Sequence, residues 1–495
     1  MRCCGRGWLV VAACCCINAF TLAIVRSGAV VYVGIASAFG VSKEDASWPL
    51  TLATVFNLAG GPVSGVLAQY FKLSSLLLAG CLLASLSVCA SYFASGVPFL
   101  IVTLGVFYGF GLSLLTLGYV AVNQSVSTNK ALASGITIGG SVVGGIIFPP
   151  VVQCLFDAYG TRGGLLVFGA LMLNSMAAAL LTRGPLREAG RREKKTMSNG
   201  TAPRLSEPAL KIICEARAEH NLHGDNVYDS CKGICLHNHE GTREPTLETS
   251  SSGCGGYKAA SAHHAAHGTL STHPENSVPL KSSESKLARW LSFLKNPRFY
   301  IIAYSLGQIW FLNTTLLTVI VDFALERGIG KWDAVSLVSF ITAPDLVSRF
   351  VSGVVTDKGI LRKSTMMFLC LGAYACAHTA TPYVSSFAAI ATFAAISGSC
   401  NGIAVTHIFV LCGELVPRST FSLCMGAANF VAAFALLERP LMIGYCKDKL
   451  GSYDGLFYFM AGVSGTTAAL WLFVSFQETR QKDHREHVDA LAEGS

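Results

Sequence analysis

Long apolar stretches separated by short polar ones run through most of the chain. A helix needs about 20 mostly apolar residues to cross a bilayer, and twelve stretches meet that length. A long polar stretch separates the sixth from the seventh. The predicted spans lie near residues 8–37, 47–70, 73–94, 98–122, 131–156, 163–182, 299–322, 332–356, 364–382, 385–412, 420–444 and 456–476.

This pattern predicts an all-α membrane protein with two similar six-helix halves. Residues 63–66 and 351–354 both have the sequence VSGV and end the second and the eighth span, the same place in each half. Such a parallel repeat is typical of transporters built from two related bundles. The polar stretch lacks a sustained hydrophobic period, which predicts a largely disordered loop. The predicted segments are a bundle over residues 1–182, a cytosolic loop over 183–295, a second bundle over 296–478 and a cytosolic tail over 479–495.

Composition and charge support lipid as the solvent of this chain. It is 52% hydrophobic and 13% charged, whereas soluble domains carry about 25% charged residues. The net charge of +8 would suit nucleic acid, but no nucleic-acid-binding motif is present and the basic residues lie mostly between apolar stretches. Basic clusters follow the sixth, eighth and twelfth spans, which predicts that both termini and the central loop are cytosolic. The plasma membrane is the default location.

Three charged residues lie deep inside predicted spans, where charge is costly and usually functional. Arg26 is in the first span, and Asp345 and Arg349 are one turn apart on the eighth. Two arginines and one aspartate leave a net positive charge, which one bound monoanion would neutralise. An arginine fork suits a carboxylate because it donates two parallel hydrogen bonds. The alternative is a purely structural Asp345–Arg349 ion pair, which leaves Arg26 unexplained.

Asp345 is the candidate proton carrier, because a carboxyl group can take up and release a proton, whereas arginine stays protonated. His407 in the tenth span is a second candidate, with hydrogen-bonded scaffolding as its alternative.

Glu438 and Arg439 in the eleventh span either pair with each other, reach the membrane surface or touch substrate. The loop cluster of Cys231, Cys235, His237 and His239 fits no standard zinc finger, so we assign no metal and no cofactor beyond a coupling proton.

Several motifs in both halves resemble the monocarboxylate transporters of the major facilitator superfamily. Residues 5–8 (GRGW) are similar to the family's opening motif without its acidic residue. Residues 129–135 (NKALASG) and 159–163 (YGTRG) are similar to its segments before and after the fifth span. Residues 345–349 (DLVSR) fit its Asp-x-x-x-Arg pair. The resemblance implies the superfamily fold, with twelve transmembrane helices in two pseudo-symmetric bundles.

The resemblance also implies roles for individual residues. Arg26 falls where proton-coupled members carry a substrate-binding lysine, and Asp345 with Arg349 matches the pair used for substrate and proton. The acidic residue that the family often carries in the eleventh span is replaced by Ala432. The predicted cytosolic gate motif consists of Gly353, Asp357, Gly359, Arg362 and Lys363.

The expected function is secondary transport of lactate- or pyruvate-like organic anions by alternating access, coupled to protons, and not an enzymatic reaction. One alternative is a uniporter for a larger or zwitterionic solute, such as an aromatic amino acid or a carnitine- or creatine-like compound. Another is a membrane sensor that transports nothing and signals through the central loop. The expected partners are a small organic anion, the lipid bilayer and, as in some family members, a single-span glycoprotein chaperone, but no nucleic acid.

Overall fold

A computed structural model of the chain describes residues 2–126, 130–185, 292–416 and 420–493. These residues form helices and the turns between them, with no β-strand in the described ranges. Most of the predicted central loop, including its cysteine and histidine cluster, lies outside them.

The first half begins with a span that is divided into three helices. Leu22 and Ser27 interrupt it, so that Arg26 is the last residue of its short middle helix. The helices are α1 (Arg2–Thr21), α2 (Ala23–Arg26), α3 (Gly28–Phe39), α4 (Lys43–Ala59), α5 (Gly61–Tyr70), α6 (Leu73–Ala90), α7 (Val97–Leu100), a π-helical segment (Ile101–Phe107), α8 (Tyr108–Leu115), α9 (Leu117–Ser125), α10 (Lys130–Met172) and α11 (Ser175–Leu181).

The second half has longer uninterrupted helices. Its first helix starts at Pro297, after the Asn296 side chain caps the backbone N–H of Arg298, as an N-cap residue does. The helices are α12 (Pro297–Glu326), α13 (Lys331–Asp357), α14 (Lys363–Ala380), α15 (Phe387–Leu415), α16 (Phe421–Ala435), α17 (Glu438–Gly444), a π-helical segment (Tyr445–Lys449) and α18 (Asp454–Glu493).

Every predicted span coincides with one or more of these helices. Among the described residues, eight helices are long and apolar enough to cross a membrane, or nine if α4 and α5, which meet at 48°, form one span. Helix α10 has 43 residues, roughly 65 Å of helix and about twice the hydrocarbon thickness. Gly160 (φ 69°, ψ 171°) bends it between the fifth and sixth predicted spans. The total of twelve stays a prediction.

The two halves repeat the same helix pairings. In the first half, the first predicted span packs on the fifth, the second on the fourth and the third on the sixth. The second half repeats this order, with α12 on α16, α13 on α15 and α14 on α18. This repetition is the two-bundle architecture that the sequence predicts.

Glycines allow the closest of these helix contacts. A Cβ atom at Gly398 would lie 2.0 Å from the carbonyl oxygen of Ile341, and one at Gly402 would lie 2.3 Å from that of Asp345. Gly140 and Gly144 hold α10 against α1 in the same way. Glycines four residues apart thus let these helix backbones approach closely.

The halves meet at the end of the bundle opposite the chain termini, here called the distal end. Lys43 Nζ lies 2.7 Å from Asp322 Oδ2, and the Tyr453 hydroxyl donates a hydrogen bond to the same carboxylate. Tyr32 and Tyr453 join their hydroxyls at 3.1 Å. These four residues form the distal network. Asp448 adds two hydrogen bonds of 2.9 Å from backbone N–H groups at the start of α4. The distal end is therefore closed by contacts between the halves.

Candidate substrate site

Asp345 lies at the centre of a charged cluster between the halves. Its side chain is 2% exposed, and its two oxygens accept hydrogen bonds of 3.0 and 3.1 Å from Arg349 Nη2. Asn401 Nδ2 donates a further one of 2.9 Å. Arg26 Nη1, from the other half, lies 3.9 Å from Asp345 Oδ2. The structure thus brings together the three charged residues that the sequence singled out, while their roles stay a prediction.

The break in the first span positions Arg26 for this contact. Ser27 has φ −88° and ψ 17°, outside a regular helix, immediately after Arg26. The arginine stem then passes Gly145 of α10, where a Cβ atom would lie 3.3 Å from Arg26 Cδ and 2.8 Å from Thr342 Cγ2. A side chain at this position would force Thr342 or the arginine stem to shift. Broken helices near the midplane are a recurring way for transporters to build a binding site.

The cluster has a single net positive charge and unused hydrogen-bonding groups. Two guanidinium groups share one carboxylate. Among the described residues, no hydrogen-bond partner is found for the buried atoms Arg349 Nε, Asn401 Oδ1 and Ser27 Oγ. Buried polar atoms nearly always have a partner, so each orphan needs an explanation. Spare donors and acceptors around a net positive charge suit a small polar anion.

Two uncharged residues complete this site and were not found by searching for charge. Asn401 holds the carboxylate of Asp345 directly. Tyr119 of α9 is within electrostatic range of both Arg26 and Arg349, and Asn18 Nδ2 lies 3.5 Å from its hydroxyl. The sequence does contain a signal for Asn401. It is an amide residue within an apolar span, and it lies between two glycines that share one face of the helix.

His407 is buried in α15, the helix that carries Asn401. Its Nδ1 lies 2.8 Å from the backbone carbonyl oxygen of Ile403. This hydrogen bond within its own helix matches the scaffolding alternative. A part for His407 in proton coupling stays a prediction.

The predicted gate motif surrounds the turn from α13 to α14. Gly359 has φ 70°, a left-handed conformation that glycine adopts without strain. Arg362 Nη1 donates a hydrogen bond of 2.8 Å to Thr479 Oγ1, and Lys363 forms an ion pair with Glu414. These contacts tie the turn to α18 and α15 of the same half. Gly353 lies within α13 and Asp357 ends it, and the side chain of Asp357 lies outside the described part of the structure. The gating role stays a prediction.

Arg439 is placed differently from two of the three sequence-based alternatives, pairing with Glu438 and reaching the membrane surface. It is 1% exposed, and its Nε donates a hydrogen bond of 3.0 Å to Thr51 Oγ1 in the other half. It is buried against the opposite half rather than extended outward, and no ion pair joins it to Glu438 or another carboxylate in the described ranges.

Sequence comparison identifies the class of this protein. The profile of the Major Facilitator Superfamily matches residues 12–437, which is most of the chain and includes Arg26, Asp345 and Arg349. The chain belongs to the major facilitator superfamily. It is therefore a multi-pass membrane transporter and not an enzyme.

Curated relatives place it more closely within this superfamily. Monocarboxylate transporter 12 of Xenopus laevis is 24% identical over 92% of this chain and 85% of its own length. Its human counterpart is 25% identical over 92% of the chain and 77% of its own length. Human monocarboxylate transporter 2 is 23% identical over 95% and 85%. The resemblance to monocarboxylate transporters is confirmed, and the low identity is that of a divergent member.

Proposed function

We propose that this transporter carries small monocarboxylates such as lactate and pyruvate, together with a proton, by alternating access. The observation that supports the proposal is the carboxylate of Asp345, shared by Arg349 of its own helix and Arg26 of the opposite half. A substrate carboxylate needs the same donors as Asp345 does. Arginine forks bind carboxylates with two parallel hydrogen bonds, so substrate and Asp345 compete for them.

Protonation of Asp345 resolves this competition. The neutral acid no longer holds the two guanidinium groups, which are then free to bind the substrate. Neither arginine exchanges a proton itself, because guanidinium groups stay charged in proteins. With one proton and one monoanion bound, the cluster has the same net charge as with neither. Proton and monoanion therefore enter this site most favourably together.

The placement of the cluster between the halves supports alternating access. Arg26 and Asp345 belong to different bundles, so binding at this cluster changes a contact that joins them. The distal network closes one end and has to separate before that end opens. Rocking of one bundle against the other around a central site is the general mechanism of this architecture. We expect the distal end to be extracellular, the termini cytosolic and the protein to reside in the plasma membrane.

The decisive experiment is concentration-dependent uptake of labelled lactate and pyruvate by wild-type protein and by the Arg26→Gln variant. A hydrogen bond to a charged group contributes roughly 1.5–3 kcal/mol. Its loss should weaken apparent affinity about ten- to a hundredfold, at 1.4 kcal/mol per factor of ten. Arg26→Lys retains the charge without the fork and should retain part of the transport. Unchanged affinity in Arg26→Gln would rule out Arg26 as a substrate contact.

Arg298→Gln is a matched control for this experiment. Arg298 is 48% exposed and lies 3.5 Å from Glu478, and exposed ion pairs contribute only about 0–1 kcal/mol. Uptake should be measured with and without an imposed pH gradient, corrected for surface abundance. Equal uptake with and without the pH gradient would favour the uniporter alternative. Coexpression with a single-span glycoprotein tests the chaperone that we expect by family resemblance.

A further inference from the structure

Arg439 is a buried arginine outside the cluster around Asp345. It is the largest side chain among the fully buried ones, at 1% exposure. Its Nε is bound to Thr51 Oγ1, but its Nη2 is buried without a hydrogen-bond partner among the described residues. By contrast, Arg26, Arg349 and Lys43 each face a carboxylate. Within the described ranges, Arg439 is thus a buried cation with a free donor and no carboxylate partner.

The position of Arg439 is on the distal side of the cluster. It lies on α17, which packs against α4 of the opposite half, and it is within electrostatic range of Tyr32. Tyr32 follows Arg26 by six residues along the first span, roughly 9 Å of helix toward the distal end. Tyr32 also belongs to the distal network. Arg439 therefore lies beneath that network, at the interface of the two halves.

The charges of this interior do not balance. Lys43 and Asp322 neutralise each other. Of the charged groups of the central cluster and Arg439 in the described ranges, Arg26, Arg349 and Arg439 are positive and Asp345 is negative, which leaves two positive charges. A buried charge without a partner is strongly unfavourable. A monocarboxylate that binds together with a proton on Asp345 leaves the net charge unchanged and the guanidinium group of Arg439 uncompensated. The second carboxylate of a dicarboxylate would offset the charge of Arg439.

We propose that Arg439 is a second anion-binding position, so that short dicarboxylates bind more tightly than monocarboxylates of the same length. This inference rests on the proposed function, because the first carboxylate lies at Arg26 and Arg349. The second carboxylate accepts a hydrogen bond from Arg439 Nη2. A substrate with two acidic ends then spans from the central cluster toward the distal network and contacts both halves at two levels.

Succinate and butyrate are suitable probes, since both have four carbons and differ by one carboxylate. Their binding is measured as the acid concentration that gives half-maximal thermal stabilisation of the purified full-length transporter, because a ligand stabilises the folded state that binds it. The wild type should need about tenfold less succinate than butyrate, the expected effect of one additional charge-assisted hydrogen bond. In Arg439→Met this ratio should fall to about one. Arg298→Gln should retain the wild-type ratio.

Three results would overturn the inference. The first is a ratio near one in the wild-type protein. The second is a ratio in Arg439→Met that equals the ratio of the wild-type protein. If Arg439→Met does not fold, Arg439→Lys replaces it as the test variant. Lysine keeps the charge but lacks the guanidinium fork, so this variant should lower the ratio severalfold. An unchanged ratio in Arg439→Lys is then the third.

The two proposals fail in distinguishable ways. Uptake of lactate that depends on Arg26, combined with any of these three results, leaves the proposed function intact and removes only the role of Arg439. A wild type that binds neither succinate nor butyrate and transports neither lactate nor pyruvate overturns both.

Discussion

The substitution Asp345→Asn keeps the size of the side chain and removes its negative charge. In the wild type this carboxylate accepts two hydrogen bonds from Arg349 and one from Asn401, and it faces Arg26 at 3.9 Å. The variant leaves both arginines without a counter-charge, although their side chains are only 14% and 15% exposed. Breaking a buried ion pair in this way costs about 3–5 kcal/mol. The ratio of folded to unfolded protein should fall by about two to three and a half orders of magnitude.

A double substitution separates the structural part of this effect from the functional part. In Asp345→Asn/Arg349→Gln the unpaired charge of Arg349 is also removed. Stability should therefore recover relative to the single variant, with an interaction free energy of up to about 3 kcal/mol in a double-mutant cycle. Proton-coupled uptake should not recover, because the variant has no group at position 345 that titrates. Recovery of stability without transport would show that the cluster is more than a structural ion pair.

Denaturant unfolding of the purified proteins in detergent measures the free energies, and uptake in proteoliposomes under a pH gradient measures coupling. Asp333→Asn is a matched control, since Asp333 is exposed at the start of the same helix. Its loss should cost no more than about 1 kcal/mol of helix-dipole stabilisation. A loss below about 1 kcal/mol in Asp345→Asn would refute the argument that a buried carboxylate is needed to offset the two arginines. Coupled transport by that variant would exclude Asp345 as the proton carrier.

Three other predictions follow from the fold and the charge pattern. Asp322→Asn leaves Lys43 unpaired in the distal network and should favour opening of the distal end. A Ser27→Cys thiol should then react faster with an impermeant reagent added at that end than the same thiol does with Asp322 present, and equal rates would contradict a gate there. Tags at either terminus should need detergent before antibody reaches them, because basic clusters orient the chain; labelling of intact cells would reverse the topology. Deleting residues 200–280 should leave transport within about twofold, because flexible connections tolerate changes in length, and a larger loss at equal surface abundance would favour the sensor alternative.

The sequence by itself was sufficient for the architecture and for the charged centre. Apolar stretches of spanning length locate the helices, because in lipid the backbone N–H and C=O groups can form hydrogen bonds only with each other. The two VSGV segments indicated the repeat that the helix pairings confirm. Arg26, Asp345 and Arg349 could be singled out because charge inside a span is too costly to be incidental. Each of these inferences depends on local composition along one span.

Contacts between distant spans were decided only by the tertiary structure. The partners of Asp345 come from three helices, and Asn401 is recognisable as one of them only when Gly398 and Gly402 bring α15 onto α13. Arg439 lies inside the predicted eleventh span and Arg362 between two predicted spans, but neither position indicates a partner. Arg439 is buried against Thr51 of the other half, whereas Arg362 binds Thr479 of its own half. Hydrophobic periodicity records which residues avoid water. It does not record which helix each one faces, because that is set by the packing of helices far apart in the chain.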